Sequence, residues 1–297
     1  MEFDMIGINA SIANAFRRIL LSEVPTMAIE KVRLSNNTSC LQDEFLAHRL
    51  GLIPIRADAG MFEWKSTSIR QGEDDPSDTL LFSLKVRCTS RNPVTVIKSE
   101  KRKSRSTSVS EQGTDGFYEV TDGRVLSKHI KWCPLPGQEE KFAGDPPRVV
   151  HDDILVAKLA ARQELDIMLA VVKGIGQDHA KFSPVSTASY RLLPKIEIVQ
   201  DLDESQSQRL VDSFSKGVME MRDGRAVVVN ARIDQNSRNH YRHDDLKDAV
   251  NNTLVKDHFI FSIESTGSRD PEVLVEEAID ILINKCSKFL SLIPTLK

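Results

Sequence analysis

Few residues in this 297-residue chain are of a type and spacing that could do chemistry. His240-Tyr-Arg-His243 has a spacing that could bind metal on a helix face, but no cysteine or third ligand is near in sequence. A solvated polar helix or loop is the expected state of that stretch. Gly174-Ile-Gly176 follows a strand pattern, as a phosphate-cradling loop would. Position 179 is then histidine rather than a third small residue, Pro184 follows closely, and no helix pattern opens. Those glycines read as places where the backbone must turn. Gly-x-Ser-x-Gly, His-Glu-x-x-His and a kinase-type loop are absent, so no nucleophile–base set can be named. An enzyme reading would have to use His48 or His179; His48 by itself reads as a hydrogen-bonded structural histidine. Cys40, Cys88, Cys133 and Cys286 form no Cys-x-x-Cys and no close pair with histidine. The expectation is no catalytic residue, no cofactor and no metal.

Composition narrows the classes further. The 40 Lys+Arg against 43 Asp+Glu give a net charge of −3, which argues against a chain that holds nucleic acid by itself. Lys98–Arg105 is a local basic cluster, open to a nuclear-localisation, nucleic-acid or plain solvated-loop reading. A hydrophobic content of 40%, with 14 Gly and 12 Pro, fits real cores and excludes collagen-like and disordered classes. Met1–Leu20 lacks a basic start and an unbroken apolar run, and Ile167–Val172 falls far short of a bilayer span. A reduced, soluble intracellular protein is expected.

The elements that must position these residues fall into three stretches. In 1–56, Glu2–Ile8 has strand character, and Asn9 or Ser11 can cap a helix to about Ser22, ended by Val24-Pro25. Thr26–Leu34 reads as a strand, and Ser39-Cys-Leu-Gln42 as a capping box opening a helix that Gly51 closes. In 57–190, Phe82, Leu84, Val86 and Cys88 alternate with Ser83, Lys85 and Arg87, the clearest strand in the chain. Residues 98–116 read as a mobile polar loop, and Tyr118–Trp132 as strands around Thr121-Asp-Gly123. Pro134–Pro147 reads as irregular, and Ile154–Leu159 and Leu165–Val172 as further strands. After about 191 come a short strand at Ile196–Val199, a helix at Glu204–Ser215, strands at Ala226–Asn230 and around Phe259–Ile263, and a long helix. Asp270 and Pro271 open that helix, which runs to about Leu290.

Three helices carry more apolar surface than one core needs. At about 100° per residue, Ile12, Ala15, Phe16, Ile19 and Leu20 share one face of the first helix. Arg17 and Arg18 flank Leu21 on the other side. Such a face suits a partner's carboxylates and carbonyls, although an ordinary surface with one stray leucine fits at least as well. The second helix is apolar on two sides, Leu41 with Phe45 and Leu46 with Leu50, and is expected to pack between two layers. In the last helix Val275, Ala278, Ile279, Leu282, Cys286, Phe289 and Ile293 recur at three- and four-residue steps. That stripe could cover a sheet or pair with another subunit's helix.

Longer motifs carry a resemblance. Ser11-Ile-Ala-Asn-Ala-Phe-Arg-Arg-Ile-Leu20 with Glu23-Val-Pro25 resembles the first-helix motif of the alpha-like RNA polymerase subunits. Asn36–Ser39, Gln42–Glu44 and Leu46–Pro54 resemble their second-helix motif. Lys173–Gly176, His179–Val185 and Phe261–Gly267 follow in the family's order. The resemblance covers nearly the whole chain and is weakest at 57–80, 90–150 and 231–250. Within the family, "IANAFRRILLSEVPTMAIEKV" and "VHDDILVAKL" are most similar to the larger alpha-like subunit shared by eukaryotic polymerases I and III.

The resemblance implies an α+β fold: a discontinuous dimerisation domain, 1–56 with 191–297, and an inserted mainly β domain at 57–190. It implies a non-catalytic assembly subunit of nuclear, including nucleolar, polymerases. The subunit would pair with a smaller alpha-like subunit, dock the large catalytic subunits, and meet DNA only through the assembly. It places Phe16, Arg17, Arg18, Leu20, Leu21, His48, Arg49, Val275, Ile279, Leu282 and Phe289 in regions facing other subunits. Family members usually carry a segment before the strand at Glu2, so a shortened form with reduced assembly competence is the alternative. A nucleic-acid-binding module using 98–105 is another.

Overall fold

The computed structural model describes residues 1–65, 74–89 and 116–293, so Lys98–Arg105 and the polar loop around it lie outside the described residues. Strand β1 (Glu2–Ile6) leads into helix α1 (Ala10–Ser22). Asn9 caps that helix as expected: its Oδ1 accepts the Ile12 N–H at 3.0 Å. Strand β2 (Thr26–Asn37) outlasts the expected Leu34 by three residues. Helix α2 (Asp43–Gly51) starts at Asp43, and Gln42 makes no side-chain cap bond. The expected capping box at Ser39 does not form, because Asn37 captures both the Ser39 N–H (3.0 Å) and its hydroxyl (2.7 Å) in a local turn.

Short β3 (Ile55–Arg56) precedes β4 (Thr79–Cys88), whose even positions from Leu80 to Cys88 are all buried, as the alternation predicts. Strands β5 (Tyr118–Val120), β6 (Arg124–Leu126) and β7 (Ile130–Cys133) follow, the first two around the expected turn. The stretch read as irregular holds one short helix, α3 (Gln138–Lys141). Strands β8 (Arg148–Val149), β9 (Leu155–Lys158), β10 (Glu164–Gly174) and β11 (Val185–Ile198) come next. Helix α4 (Glu204–Ser213), the hairpin β12 (Met219–Arg222) and β13 (Arg225–Val228), β14 (Val250–Ser265) and helix α5 (Pro271–Leu292) complete the chain. The strand expected only at Ile196–Val199 is the end of the 14-residue β11. Polar Ser186 and Thr187 and the interior Pro194 hide it in the sequence, and an edge strand tolerates such a proline.

The fold is α+β, as the sequence implied, and divides into two compact units, Met1–Arg17 with Thr187–Ile263, and Arg18–Ser186 with Glu264–Lys297. In the first unit, sheet β1-β14-β11 joins the start of the chain to its last third. Phe3 lies opposite Phe261 across the antiparallel β1–β14 pair. Phe3 and Phe261 stack at 5.4 Å, and Phe16 meets Phe261 edge-on at 5.5 Å, which fixes the first turns of α1 on the sheet. A second core gathers Leu210, Phe214, Val218 and Leu246. The β12–β13 hairpin turns on Asp223-Gly224, both at positive φ (51° and 75°), a two-residue turn that favours this pair.

In the second unit, β10 is an interior strand of a five-stranded sheet, antiparallel to β2 on one side and β4 on the other. Its apolar run Ile167–Val172 is explained by that position. Leu169 lies opposite Val32 and Phe82 at once. The glycines after β10 serve close packing. A Cβ on Gly174 would come within 2.6 Å of the Phe182 ring, and one on Gly176 would collide with the Leu21 carbonyl. Gln177 N–H then donates to the Ser22 carbonyl at 2.9 Å, clamping this turn to the end of α1.

Candidate subunit interface

The first helix splits its residues sharply. Phe16 (1% exposed) and Leu20 (0%) are buried in the chain's own core and are not presented to another subunit. Leu21 is half-buried and Arg18 exposed. Arg17 is half-buried, its guanidinium held by Asn14 Oδ1 at 3.0 and 3.2 Å, so its planar group is fixed in one direction. Arg18 forms no ion pair among the described residues.

Among the described residues, the second helix is covered on one side only. Leu46 and Leu50 are buried, while Phe45 (64% exposed) and Leu52 (52%) stand outward with His48 between them. The expected second covering layer is not supplied by the described residues. Arg49 turns partly inward: its Nε and Nη2 donate to the Val156 and Leu155 carbonyls at 3.0 and 2.6 Å, tying the helix to β9. This backbone role was not legible from the sequence, because β9 lies a hundred residues downstream.

His48 and His179 line one cleft together with Glu30 and Lys181. Lys181 is engaged by the Glu30 carboxylate at 2.5 Å and the Ile29 carbonyl at 2.9 Å. His179 Nδ1 accepts the Lys181 N–H at 3.1 Å, as the cap of a short turn. The one histidine–carboxylate pair found among the described residues lies elsewhere: His258 meets Asp4 at 2.7 Å, and Arg232 bridges Asp4 and Glu2 at 2.6 and 2.7 Å. Those contacts hold the Asp4 carboxyl below its ordinary range, Arg232 contributing most and His258 next. No local pattern marks this network, because its acidic residues near the start of the chain lie over two hundred positions from Arg232 and His258.

The other motif histidine departs from expectation. His240 sits in a short turn, Asn239–Arg242, and is fully buried rather than solvated, stacked on Phe214 at 5.5 Å. Among the described residues, no group of three or more His, Cys, Asp or Glu is placed to hold a metal ion.

The last helix is the most open. Pro271 stands in its first turn as expected, but Asp270 makes no side-chain cap bond; its carboxylate lies 3.6 Å from Arg56 instead. Leu274 and Ala278 are buried, and Val275 and Leu282 are half-buried. Beyond Leu282 every described residue is exposed, including Ile283 (55%), Phe289 (70%), Leu290 (67%) and Ile293 (55%). With Ile279 (40%), they form an apolar surface of the kind that marks contact with another chain.

An α+β fold with two helices turning apolar faces outward defines a protein whose surface is built to receive other chains. A model of the RNA polymerase Rpb3/Rpb11 dimerisation domain matches residues 2–286, and the chain belongs to that family. It is 50% identical, over 98% of its length and 80% of the relative's, to the RPAC1 subunit of DNA-directed RNA polymerases I and III from Mus musculus. The RPAC1 subunit of Saccharomyces cerevisiae is 41% identical over 96% of this chain and 81% of its own length. The archaeal polymerase subunit Rpo3 of Methanothermobacter thermautotrophicus is 29% identical over 98% and 94%.

Proposed function

We propose that this chain is a non-catalytic assembly subunit of nuclear RNA polymerases I and III. It pairs with a smaller alpha-like subunit, and the pair forms a platform for the large catalytic subunits, in the nucleolus as well as elsewhere in the nucleus. DNA is met only through the assembled enzyme. The observation that carries this reading is the exposed apolar surface of α5 from Ile279 to Ile293, in a chain half identical to an RPAC1 subunit. Covering each large apolar side chain is worth about 1.5–3 kcal/mol. The interface uses Leu21, Val275, Ile279, Leu282 and Phe289 for affinity, and Arg17 and Arg18 for register. Phe16 and Leu20 support it from beneath. His48 and Arg49, with Phe45 and Leu52, form a second face for a large subunit. The discontinuous domain plan, 1–56 and 191–297 around 57–190, belongs to the same proposal; sheet β1-β14-β11, built from both ends of the chain, supports it. No described helix is long and apolar enough to cross a membrane.

Co-expression with the smaller alpha-like subunit tests the proposal. A stable one-to-one complex is expected, and its absence where the mouse relative succeeds sinks the assembly role of this chain. Charge reversal at Arg17 and Arg18 should weaken the complex while the chain stays folded; unchanged assembly removes those residues from the interface.

A further inference from the structure

A groove of about 660 Å³ opens on the unit formed by Met1–Arg17 and Thr187–Ile263. It lies where β11 and β14 meet the turn around Asn236–Tyr241. None of its lining residues is acidic, in a chain with more carboxylates than cations.

Three features of the groove call for an occupant. Arg238 and Lys256 are exposed on its walls, and among the described residues neither is in an ion pair. Strand alternation turns Asp257 to the opposite face from Lys256. The nearby Asp234 carboxylate is buried and turned onto its own loop, accepting the Asn236 N–H at 3.0 Å and the Ser237 N–H at 3.3 Å. Second, Asn252 Oδ1 is buried in the groove wall and meets no hydrogen-bond donor among the described residues. A buried acceptor of this kind is satisfied in most proteins, so it calls for an incoming N–H or O–H. Third, Tyr241 (48% exposed) and Leu254 (39%) give the same groove an apolar side.

We propose that this groove binds an acidic peptide segment of another protein. Acidic side chains lie against Arg238 and Lys256, a main-chain N–H donates to Asn252 Oδ1, and an apolar side chain rests on Leu254 and Tyr241. The charge of the walls favours an anion, and the other two features favour a peptide. A phosphate backbone has no donor for Asn252 and no apolar group for Leu254.

The test is selection of a phage-displayed library of random short peptides on the full chain, with affinities of the selected peptides read by fluorescence anisotropy. Enriched peptides are expected to combine acidic with apolar residues and to bind less tightly as salt rises. Arg238→Glu with Lys256→Glu should weaken them by about tenfold or more, and Asn252→Ala, which leaves charge unchanged, by a few-fold. The milder pair Arg238→Gln with Lys256→Gln carries the same test if the reversed pair fails to fold. No acidic enrichment, or equal binding by the wild-type and Gln-substituted chains, overturns the proposal. So does binding of an oligothymidine with no peptide selected, which would assign the groove to nucleic acid.

Discussion

The Lys285 ammonium, midway along α5, lies 2.5 Å from a carboxylate oxygen of Glu23, just past the end of α1. The pair joins residues 262 positions apart at the point where α5 leaves the cover of its own chain. Both side chains are partly exposed, at 46% and 25%, so solvent screens the attraction. Lys285→Ala should therefore cost at most about 1 kcal/mol, and less in high salt. Urea unfolding at two salt concentrations checks this; a large, salt-independent loss would mean that the contact is more than a surface ion pair.

Two phenylalanines should answer oppositely to the same change. Phe261 is fully buried between Phe3, Phe16 and Tyr190, so Phe261→Ala should lower stability by about 3–5 kcal/mol. Phe289 is 70% exposed, so Phe289→Ala should change stability by less than about 0.5 kcal/mol. The second variant should instead lose affinity for the partner subunit. Denaturation of the isolated chain and titration with the partner separate the two effects.

Gly176→Ala should destabilise the chain by about 1–3 kcal/mol, since the added methyl meets backbone rather than a side chain that could swing away. The effect comes from packing against Leu21, so it should appear in unfolding experiments without any ligand present. A neutral result would remove the clamp between this turn and α1.

Acid should weaken the chain through His129 before it reaches the carboxylates. His129 is buried; its Nδ1 accepts the Leu126 N–H at 3.1 Å, and its Nε2 has no partner among the described residues. Burial, reinforced by Lys128 and Lys131, lowers its pKa from 6.5 to about 4. The unfolded chain therefore binds the proton first, so the stability this residue contributes is complete above pH 6.5 and is lost as pH falls towards 4. At about 1.4 kcal/mol per pH unit the loss reaches roughly 3 kcal/mol. Asp4 and Asp74, lowered mainly by Arg232 and Arg33, add their losses only below about the usual carboxylate value of 3.8. His129→Gln should flatten the stability profile between pH 4 and 6.5; an unchanged slope would assign it to other groups.

Local patterns are legible where one residue's neighbours in sequence are also its neighbours in space. The alternation of β4, the Asn9 cap of α1 and Pro271 in the first turn of α5 all reappear in the structure. The capping box at Ser39 failed although its residues are right, because Asn37 offered the Ser39 N–H and hydroxyl a competing partner. No sequence pattern marks the groove residues Leu192, Arg238 and Asn252, since only the folding of β11, β14 and the turn at Arg238 brings them together.

The sequence by itself determined the family, through motifs whose order spans the chain, and which residues share each helix face, because 3.6-residue periodicity is local. Only the tertiary structure decided which of those faces the chain covers. Phe16 and Leu20 are buried while Phe45 and Phe289 are open, although all four lie on apolar stripes of similar pattern. Burial depends on what distant segments bring to the other side. Apolar residues at helical spacing carry the same local signal whether the covering layer belongs to this chain or to another.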